Sequence, residues 1–143
     1  MSLHLIKLCV GADSLEDLAG WQNKRLAERK KKKQPLELQH ITRMTPKRKD
    51  ELLDGGSLYW VIKGYVTARQ RLIDLRPVTR EGKPHCALVY DPELVPVVRR
   101  FHRPFQGWRY LPPSDAPRDI RDLKGGKNMP PELKAELAEL GLL

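Results

Sequence analysis

The sequence has few cysteines, few aromatic residues and no long hydrophobic run, and these shortages exclude several classes of protein. Its two cysteines, Cys9 and Cys86, do not provide the disulfide framework that small secreted domains need. No apolar run approaches the roughly 20 residues that span a bilayer. The first ten residues also lack the basic, apolar and small-residue regions of a signal peptide. We therefore expect a cytoplasmic protein that does not enter a membrane.

Common enzyme motifs and metal-ligand spacings are also missing. None of the four histidines stands at a zinc-ligand spacing from another histidine or a cysteine, so we predict no metal site. The sequence contains no P-loop, no dinucleotide-binding glycine pattern and no nucleophile elbow, and we predict no cofactor. Most carboxylates stand beside Lys or Arg, which favours ion pairs over acid-base chemistry. The sequence thus gives no positive sign of an enzyme.

Positive charge is abundant and unevenly distributed. The chain has a formal net charge of +9, and residues 24–33 hold seven Lys or Arg against one Glu. Such a cluster attracts polyanions by releasing their counterions, without sequence preference. The alternative is that these residues form a solubilising helix end, where cations also complement the helix dipole.

Hydrophobic periodicity and turn residues predict an α+β fold. Strands are interrupted by few helices, which favours a mainly antiparallel sheet or a small β-barrel with two or three flanking helices. We predict one α+β domain over residues 1–111, with 112–143 forming a surface linker and a C-terminal helix packed on that domain. The predicted strands cover 3–10, 36–44, two in 57–75, 85–91 and 105–111, and the predicted helices begin at Ser14, Pro46 and Pro131.

Residues 58–71 separate into two faces when they are read with the period of a β-strand. The even positions, such as Leu58, Trp60 and Val66, are apolar or small, whereas the odd positions carry Tyr, Lys and Arg. Successive side chains of a strand point to opposite faces. An odd face that combines aromatic rings with cations suits a stacked base beside a phosphate, and it also suits an ordinary solvated sheet surface.

Later in the chain, Trp108 and Tyr110 share one parity, so both can be buried while Arg109 points outward. Arg supplies forked donors to phosphate, and aromatic faces supply about 1–3 kcal/mol of stacking per base. On these grounds the predicted nucleic-acid-binding residues are Lys30, Lys31, Lys32, Lys33, Arg43, Lys47, Arg48, Tyr59, Lys63, Tyr65, Arg69, Arg71 and Arg109.

Four segments together resemble a family of small bacterial proteins that is classed as a domain of unknown function. The resemblance covers nearly the whole chain and is carried by TPKRKDELLDGGSLYWVIKG (45–64), RQRLIDLRPVTREG (69–82), DPELVP (91–96) and RPFQGWRYL (103–111). It implies a cytoplasmic bacterial protein without an assigned activity. The order of short helix, glycine turn and basic strand over 47–71 is more loosely similar to PUA-like domains of the ASCH and EVE branches, which implies a small barrel and RNA or modified nucleotides as ligands.

Three functions follow as hypotheses from these patterns. The first is an RNA- or nucleotide-binding module that uses the odd face for recognition and the lysine run for affinity. The second is a small hydrolase of modified nucleosides or amides, in which Lys63 with Glu51 or Asp74 would transfer protons. The third is a protein-interaction domain. The oligomeric state does not follow from the sequence.

Overall fold

Seven strands and two helices account for most of residues 2–122, the part of the chain that the computed structural model describes. In chain order they are β1 (His4–Leu8), α1 (Leu15–Lys31), β2 (Leu38–Thr42), α2 (Lys49–Leu53), β3 (Ser57–Ile62), β4 (Tyr65–Arg80), β5 (Lys83–Tyr90), β6 (Val95–Phe101) and β7 (Trp108–Leu111). Two short 3-10 helices follow at Pro113–Asp115 and Ile120–Asp122. The predicted α+β class is confirmed. The predicted C-terminal helix lies outside the described residues, and the division of the chain at residue 111 stays a prediction.

The seven strands form one mostly antiparallel sheet in the order β2-β5-β4-β3-β1-β7, with β6 paired to β4 off this path. Only β1 and β3 run parallel among these pairs. The 16-residue β4 pairs with β3 and β6 through its first half and with β5 through its second. His40 of β2 contacts Trp60 of β3, with 5.9 Å between ring centroids, although β5 and β4 lie between those strands. The open sheet is therefore strongly curled.

Hydrophobic residues pack on both faces of this sheet. The concave face, called the inner face below, carries the larger core around Leu5, Leu58, Trp60 and Leu88, to which α1 adds Leu18. The opposite, outer face carries a smaller core of Ile6, Tyr59, Val61, Val66, Val97 and Leu111, with Phe105 and Ala116 packed against it. All six residues of β3 are buried as a result.

The start of α1 follows from its local sequence. The Ser14 hydroxyl accepts a hydrogen bond from the backbone N–H of Asp17 (3.1 Å), and the Asp17 carboxylate accepts one from the N–H of Asp13 (3.0 Å). These bonds satisfy amides that have no partner inside the helix.

Farther along α1, the buried side-chain amides of Gln22 and Gln70 form hydrogen bonds with each other, and the Gln70 oxygen also accepts one from the Trp60 indole. The polar network fixes α1 against the inner face.

A tight turn and a bulge set the direction of side chains in the first half of β4. Lys63 and Gly64 both have positive φ (49° and 83°), which is typical of the two-residue hairpin turn between β3 and β4. The pairing of β3 with β4 shifts by one residue between Trp60 and Val61: Trp60 pairs with Ala68, but Val61 pairs with Val66. One extra residue in β4, Thr67, reverses the alternation of side chains. For this reason Val66 lies on the outer face rather than on the face that its even number predicts.

Strand β6 was not predicted, because Pro92 and Pro96 suggested an irregular segment. Pro96 lies within the strand, opposite Ala68 of β4. Its position is compatible with the ladder because β6 pairs along one side only, apart from an isolated bridge between Val97 and Asp119, and proline is tolerated at such edges. The sheet therefore has one strand more than the sequence predicts.

Candidate nucleic-acid interface

Two residues of the predicted odd face, Tyr59 and Arg69, are not exposed to solvent as expected. Tyr59 is only 4% exposed, packs edge-on against His4, and burial raises the pKa of its hydroxyl. Arg69 donates to both carboxylate oxygens of Asp119 (2.7 and 2.6 Å) and to the Ser57 hydroxyl (3.0 Å). The prediction of a solvated odd face is wrong at both positions, because the chain beyond β7 covers this part of the outer face.

Arg71 is exposed, but its neighbourhood has both signs of charge. It lines an open pocket of about 320 Å³ together with Asp91, Glu93 and Arg121. Arg121 is itself 3.3 Å from Glu93. The carboxylates reduce the attraction that this pocket has for a phosphate backbone, so Arg71 stands apart from a continuous basic surface.

Arg43, Lys47 and Arg48 lie in the connection between β2 and α2. The Tyr110 hydroxyl accepts from the backbone N–H groups of Lys47 (2.9 Å) and Arg48 (3.3 Å), and the Trp108 indole donates to the Met44 carbonyl (2.8 Å). The guanidinium of Arg48 pairs with Glu51 and holds the pKa of that carboxyl below its usual value. Trp108 and Tyr110 do pack against the inner core while Arg109 is exposed, which confirms the predicted parity.

The lysine run is exposed at the end of α1. Lys30 and Lys31 occupy its last turn, and Lys32 is the capping residue, followed by Lys33 with a positive φ of 55°. The helix has 17 residues, so at 1.5 Å per residue the run lies roughly 25 Å from the start of α1. Lys63 and Tyr65 share a pocket with that start. The lysine run and the hairpin are therefore well separated.

Lys63, Tyr65 and Phe101 lie near one another at the end of the sheet where β3 turns into β4. Tyr65 of β4 lies opposite Phe101 of β6, and their rings meet edge to face with 6.0 Å between centroids. Both rings are open to solvent, at 46% and 65% exposure. Lys63 is exposed in the adjacent turn. A large apolar surface is thus displayed beside a cation.

A second group of rings and cations follows toward β7 and is joined to the Tyr65–Phe101 region by one backbone hydrogen bond. The backbone N–H of His102 donates to the Gly64 carbonyl (2.8 Å), and the His102 ring lies 4.9 Å from the Phe105 ring. The guanidinium of Arg109 lies over the Phe105 ring, 5.8 Å from its centroid. We call this set the hairpin-end surface; its residues are Lys63, Tyr65, Phe101, His102, Arg103, Phe105 and Arg109.

The charge of this region has one sign over a long stretch of chain. Residues 94–114 contain four arginines and no Asp or Glu. One of them, Arg100, donates to the backbone carbonyl of Asp115 (2.7 Å), a bond that leaves its charge without a carboxylate partner within the described residues. The stretch itself therefore adds only positive charge to this end of the sheet.

Sequence reasoning placed only Lys63, Tyr65 and Arg109 of the hairpin-end surface among the site residues. Phe101 and His102 were missed because β6 was not predicted. The absence of acidic residues over 94–114, together with the aromatic residues of that stretch, is the sequence signal that points to them. The signal is independent of the secondary structure.

One open pocket of about 550 Å³ borders the hairpin-end surface. It is lined by Ile62, Lys63 and Tyr65 on the sheet side and by Asp13 and Glu16 on the α1 side. The carboxylates at the start of α1 repel phosphate.

His40, on the inner face, has the largest pKa change among the described histidines. Burial, followed by the charges of Lys7, Arg25 and Arg80, lowers its pKa from 6.5 to about 4. Burial also lowers the pKa of His4, whose ring nitrogen accepts a hydrogen bond from the Ser57 N–H (2.9 Å). Both rings are neutral in the folded protein at neutral pH.

The free energy of unfolding is therefore expected to fall as the pH is lowered from 6.5 to 4. The unfolded chain protonates His40 near pH 6.5 and the folded chain only near 4, so acid favours unfolding in that window. The expected loss is about 2 kcal/mol, because partial exposure of the ring reduces the 1.36 kcal/mol per pKa unit. Urea unfolding at several pH values measures this slope.

The variant His40→Gln is expected to remove most of the slope, while His85→Gln is expected to keep it. Carboxylates with lowered pKa, such as Glu37 and Asp74, lose their stabilising effect only below about pH 4.5, their ordinary range. The effect of His40 on the free energy of unfolding therefore begins at a higher pH than the effect of the carboxylates. A slope between pH 6.5 and 4.5 that is the same in His40→Gln and in the original sequence would contradict this account.

Within residues 2–122, no three His, Cys, Asp or Glu side chains are grouped so that they could hold a metal ion. Among the same residues, no helix is long and apolar enough to cross a membrane. Cys9 and Cys86 are both free and buried, and burial raises the pKa of each thiol.

The fold and this site define a small α+β protein with a curled, mostly antiparallel sheet and an exposed basic-aromatic end. The chain belongs to the family described as a protein of unknown function, DUF1489, which matches residues 5–143. The predicted resemblance to a domain of unknown function is thereby confirmed. No curated protein and no solved structure matches the chain, so the looser resemblance to PUA-like domains is not confirmed.

Proposed function

We propose that this protein binds single-stranded RNA, or nucleotides, through the hairpin-end surface. The observation that carries the proposal is the exposed Tyr65–Phe101 pair beside a basic stretch without acidic residues. Aromatic rings stack on bases of any sequence and contribute about 1–3 kcal/mol per base. Bases are available for such stacking only where the nucleic acid is unpaired, which favours a single strand.

The cations of the surface supply the second half of the interaction. Lys63 stands in the turn beside Tyr65, and Arg109 stands over Phe105. An Arg that lies on an aromatic ring is held in place before it meets a phosphate, so it loses less side-chain entropy on binding. The surface therefore offers two groups: the Tyr65–Phe101 pair with Lys63 in the adjacent turn, and Phe105 with Arg109 over its ring.

The lysine run has a different role in the proposal. It lies at the far end of α1, and all four of its lysines are exposed. Such residues strengthen the binding of any polyanion and make it dependent on salt. We infer that the run raises affinity and the hairpin-end surface selects unpaired bases.

The hydrolase alternative is less well supported by the geometry. Glu51 pairs with Arg48, and Asp74 lies within ion-pair distance of Arg76 and Lys49. Lys63 lies in the turn after β3, whereas Glu51 precedes β3 on α2. The ion pairs of Glu51 and Asp74 with other cations favour a structural role for both carboxylates over proton transfer with Lys63.

A cytoplasmic location is part of the proposal. Two cysteines that are free and buried are usual in proteins of a reducing compartment, where disulfides are rare. Cellular single-stranded RNA is available to a protein in that compartment.

The proposal is tested by measuring fluorescence anisotropy of a labelled single-stranded RNA and a duplex DNA across a salt series. The original sequence is compared with a variant in which Lys30, Lys31, Lys32 and Lys33 are changed to Gln. In the variant, the slope of log affinity against log salt for RNA is expected to decrease by roughly 3, because each phosphate contact contributes about 0.7 on a single strand. The preference for RNA over duplex is expected to persist.

The preference for single-stranded RNA over duplex DNA tests the role of the hairpin-end surface. If the variant loses all RNA binding, or binds RNA and duplex equally, the lysine run accounts for the interaction and the proposal is wrong. If neither protein binds RNA at low salt, the proposal is wrong.

A further inference from the structure

The pocket between the start of α1 and the β3–β4 turn has the size and the lining of a site for a small molecule. Its volume of about 550 Å³ falls within the range of about 300–1,000 Å³ that such sites occupy. Three of the residues that line it, Leu15, Ile62 and Thr67, are at most 5% exposed. The Thr67 hydroxyl donates to the Tyr65 carbonyl (2.9 Å). The deeper part of the pocket is therefore mainly apolar.

Tyr65 belongs both to this pocket and to the exposed aromatic pair. Its ring lies 6.0 Å from the Phe101 ring, centroid to centroid, and the residue is 46% exposed. It also lines the pocket together with Ile62 and Lys63. A flat, largely apolar ring that enters the pocket therefore lies beside a side chain that already offers stacking to RNA.

Charges of both signs line the same pocket, and they come from different elements. Asp13 and Glu16 lie at the start of α1, whereas Lys63 lies in the β3–β4 turn. Arg99 adds a second cation from β6. The backbone N–H of Asp13 donates to the Asp17 carboxylate (3.0 Å), which fixes the chain at this position. The pocket therefore matches a ligand that has hydrogen-bond donors at one end and an anion at the other.

We propose, in an inference that rests on the proposed function, that the pocket receives one unpaired base of the RNA and that Asp13 selects guanine. The Watson–Crick edge of guanine presents N1–H and N2–H₂ side by side, and both oxygens of an ionised carboxylate accept hydrogen bonds. Adenine and cytosine each place an acceptor nitrogen beside the amino group, and uracil has carbonyl oxygens on both sides of its N–H. A carboxylate repels these acceptors. Proteins read this edge on bases that are unpaired.

The phosphate of the selected nucleotide occupies the other side of the pocket. The carboxylates of the α1 side repel it, and the Lys63 ammonium attracts it. Lys63 is exposed in the turn beside Tyr65. A guanosine nucleotide thus meets a charge of the opposite kind at each end and an aromatic ring between them.

The experiment measures the anisotropy of labelled oligouridines that carry guanine, inosine, adenine, cytosine or uracil at one central position. The guanine RNA is expected to bind at least about tenfold more tightly than the uracil RNA, the effect of a good bidentate contact to one base. Inosine lacks the N2 amino group and is expected to lose most of this preference. Asp13→Asn is expected to abolish the preference.

Glu28→Gln is the matched control and is expected to keep the preference for guanine. It removes the same charge as Asp13→Asn from another exposed position near α1. Both changes strengthen the general attraction to RNA, so the ratio of the two affinities reports on Asp13. The hydrogen bond of Asp13 to Asp17 comes from the backbone N–H, so Asp13→Asn is expected to preserve the start of α1.

An NMR titration with guanosine 5′-monophosphate, compared with uridine 5′-monophosphate, separates the pocket from the proposed function. The amide signals of Asp13 and Tyr65 are expected to shift with the guanosine compound and to stay nearly unchanged with the uridine compound. RNA binding without a preference for guanine, or a preference that Asp13→Asn retains, would overturn the selection of guanine and leave the proposed function standing. Shifts with the guanosine compound in a protein that binds no RNA would support the pocket and contradict the proposed function. If neither the RNAs nor the guanosine compound binds, both are wrong.

Discussion

Replacing Gly56 with alanine is expected to lower the free energy of unfolding by about 3 kcal/mol, at the upper end of the usual effect of overpacking. A Cβ at this position would overlap the backbone carbonyl oxygens of Leu3 and Leu52. Backbone atoms cannot rotate away as a side chain does, so β1, α2 or β3 must shift. The N–H of Gly56 also donates to Leu52 (3.0 Å), and its carbonyl accepts from Leu72 (2.9 Å), so a shift weakens two further bonds.

Gly20 provides the matched control for this variant. It lies within α1, and a Cβ there would meet no other atom within 4 Å. Gly20→Ala is therefore expected to stabilise the protein by up to about 1 kcal/mol, because alanine is favoured over glycine inside a helix. Urea unfolding of the three proteins measures both effects. A loss below about 1 kcal/mol in Gly56→Ala would contradict the close approach of β1 and α2.

Those parts of the fold that depend on neighbouring residues could be predicted from the sequence. The bonds between Ser14 and Asp17 start α1 where their spacing indicates. The alternation of β3 and β7 identifies Trp60, Trp108 and Tyr110 as inward-facing residues. In each case the physical cause lies within a few positions of the residue itself, so the sequence contains it.

The parts that depend on distant segments could not be predicted. One extra residue, Thr67, reverses the faces of β4, and no local pattern indicates whether a strand will bulge. Tyr59 lies in a core to which distant residues such as Val97 and Leu111 contribute, and Arg69 pairs with Asp119. Of the predicted odd face, Tyr59 and Arg69 are therefore not solvated, whereas Lys63, Tyr65 and Arg71 are exposed.

A double variant, Tyr65→Ala with Phe101→Ala, is expected to weaken binding of single-stranded RNA at least about 30-fold. Each ring contributes about 1–3 kcal/mol when it stacks on a base, and the two rings contact each other at the exposed end of the sheet. Neither belongs to the two cores, so folding is expected to be preserved. Anisotropy with labelled RNA measures the affinity, and circular dichroism measures the fold.

Ile73→Ala is the control for this double variant. Ile73 is another exposed apolar residue of β4, outside the hairpin-end surface, so its removal is expected to change RNA affinity less than twofold. Equal losses in both proteins would indicate a general effect of surface hydrophobicity. A folded double variant that binds RNA as tightly as the original sequence would exclude stacking on Tyr65 and Phe101.

Cross-linking tests the hairpin-end surface most directly, because it identifies the residues that touch RNA without altering any of them. The purified protein is irradiated with a single-stranded RNA that contains photoreactive uridine, and the modified peptides are identified by mass spectrometry. We expect cross-links at Tyr65 or Phe101, whose rings meet at the exposed end of the sheet, or at the neighbouring Phe105, whose ring contacts His102. Cross-links confined to residues 24–33, or none at all, would contradict the proposed function.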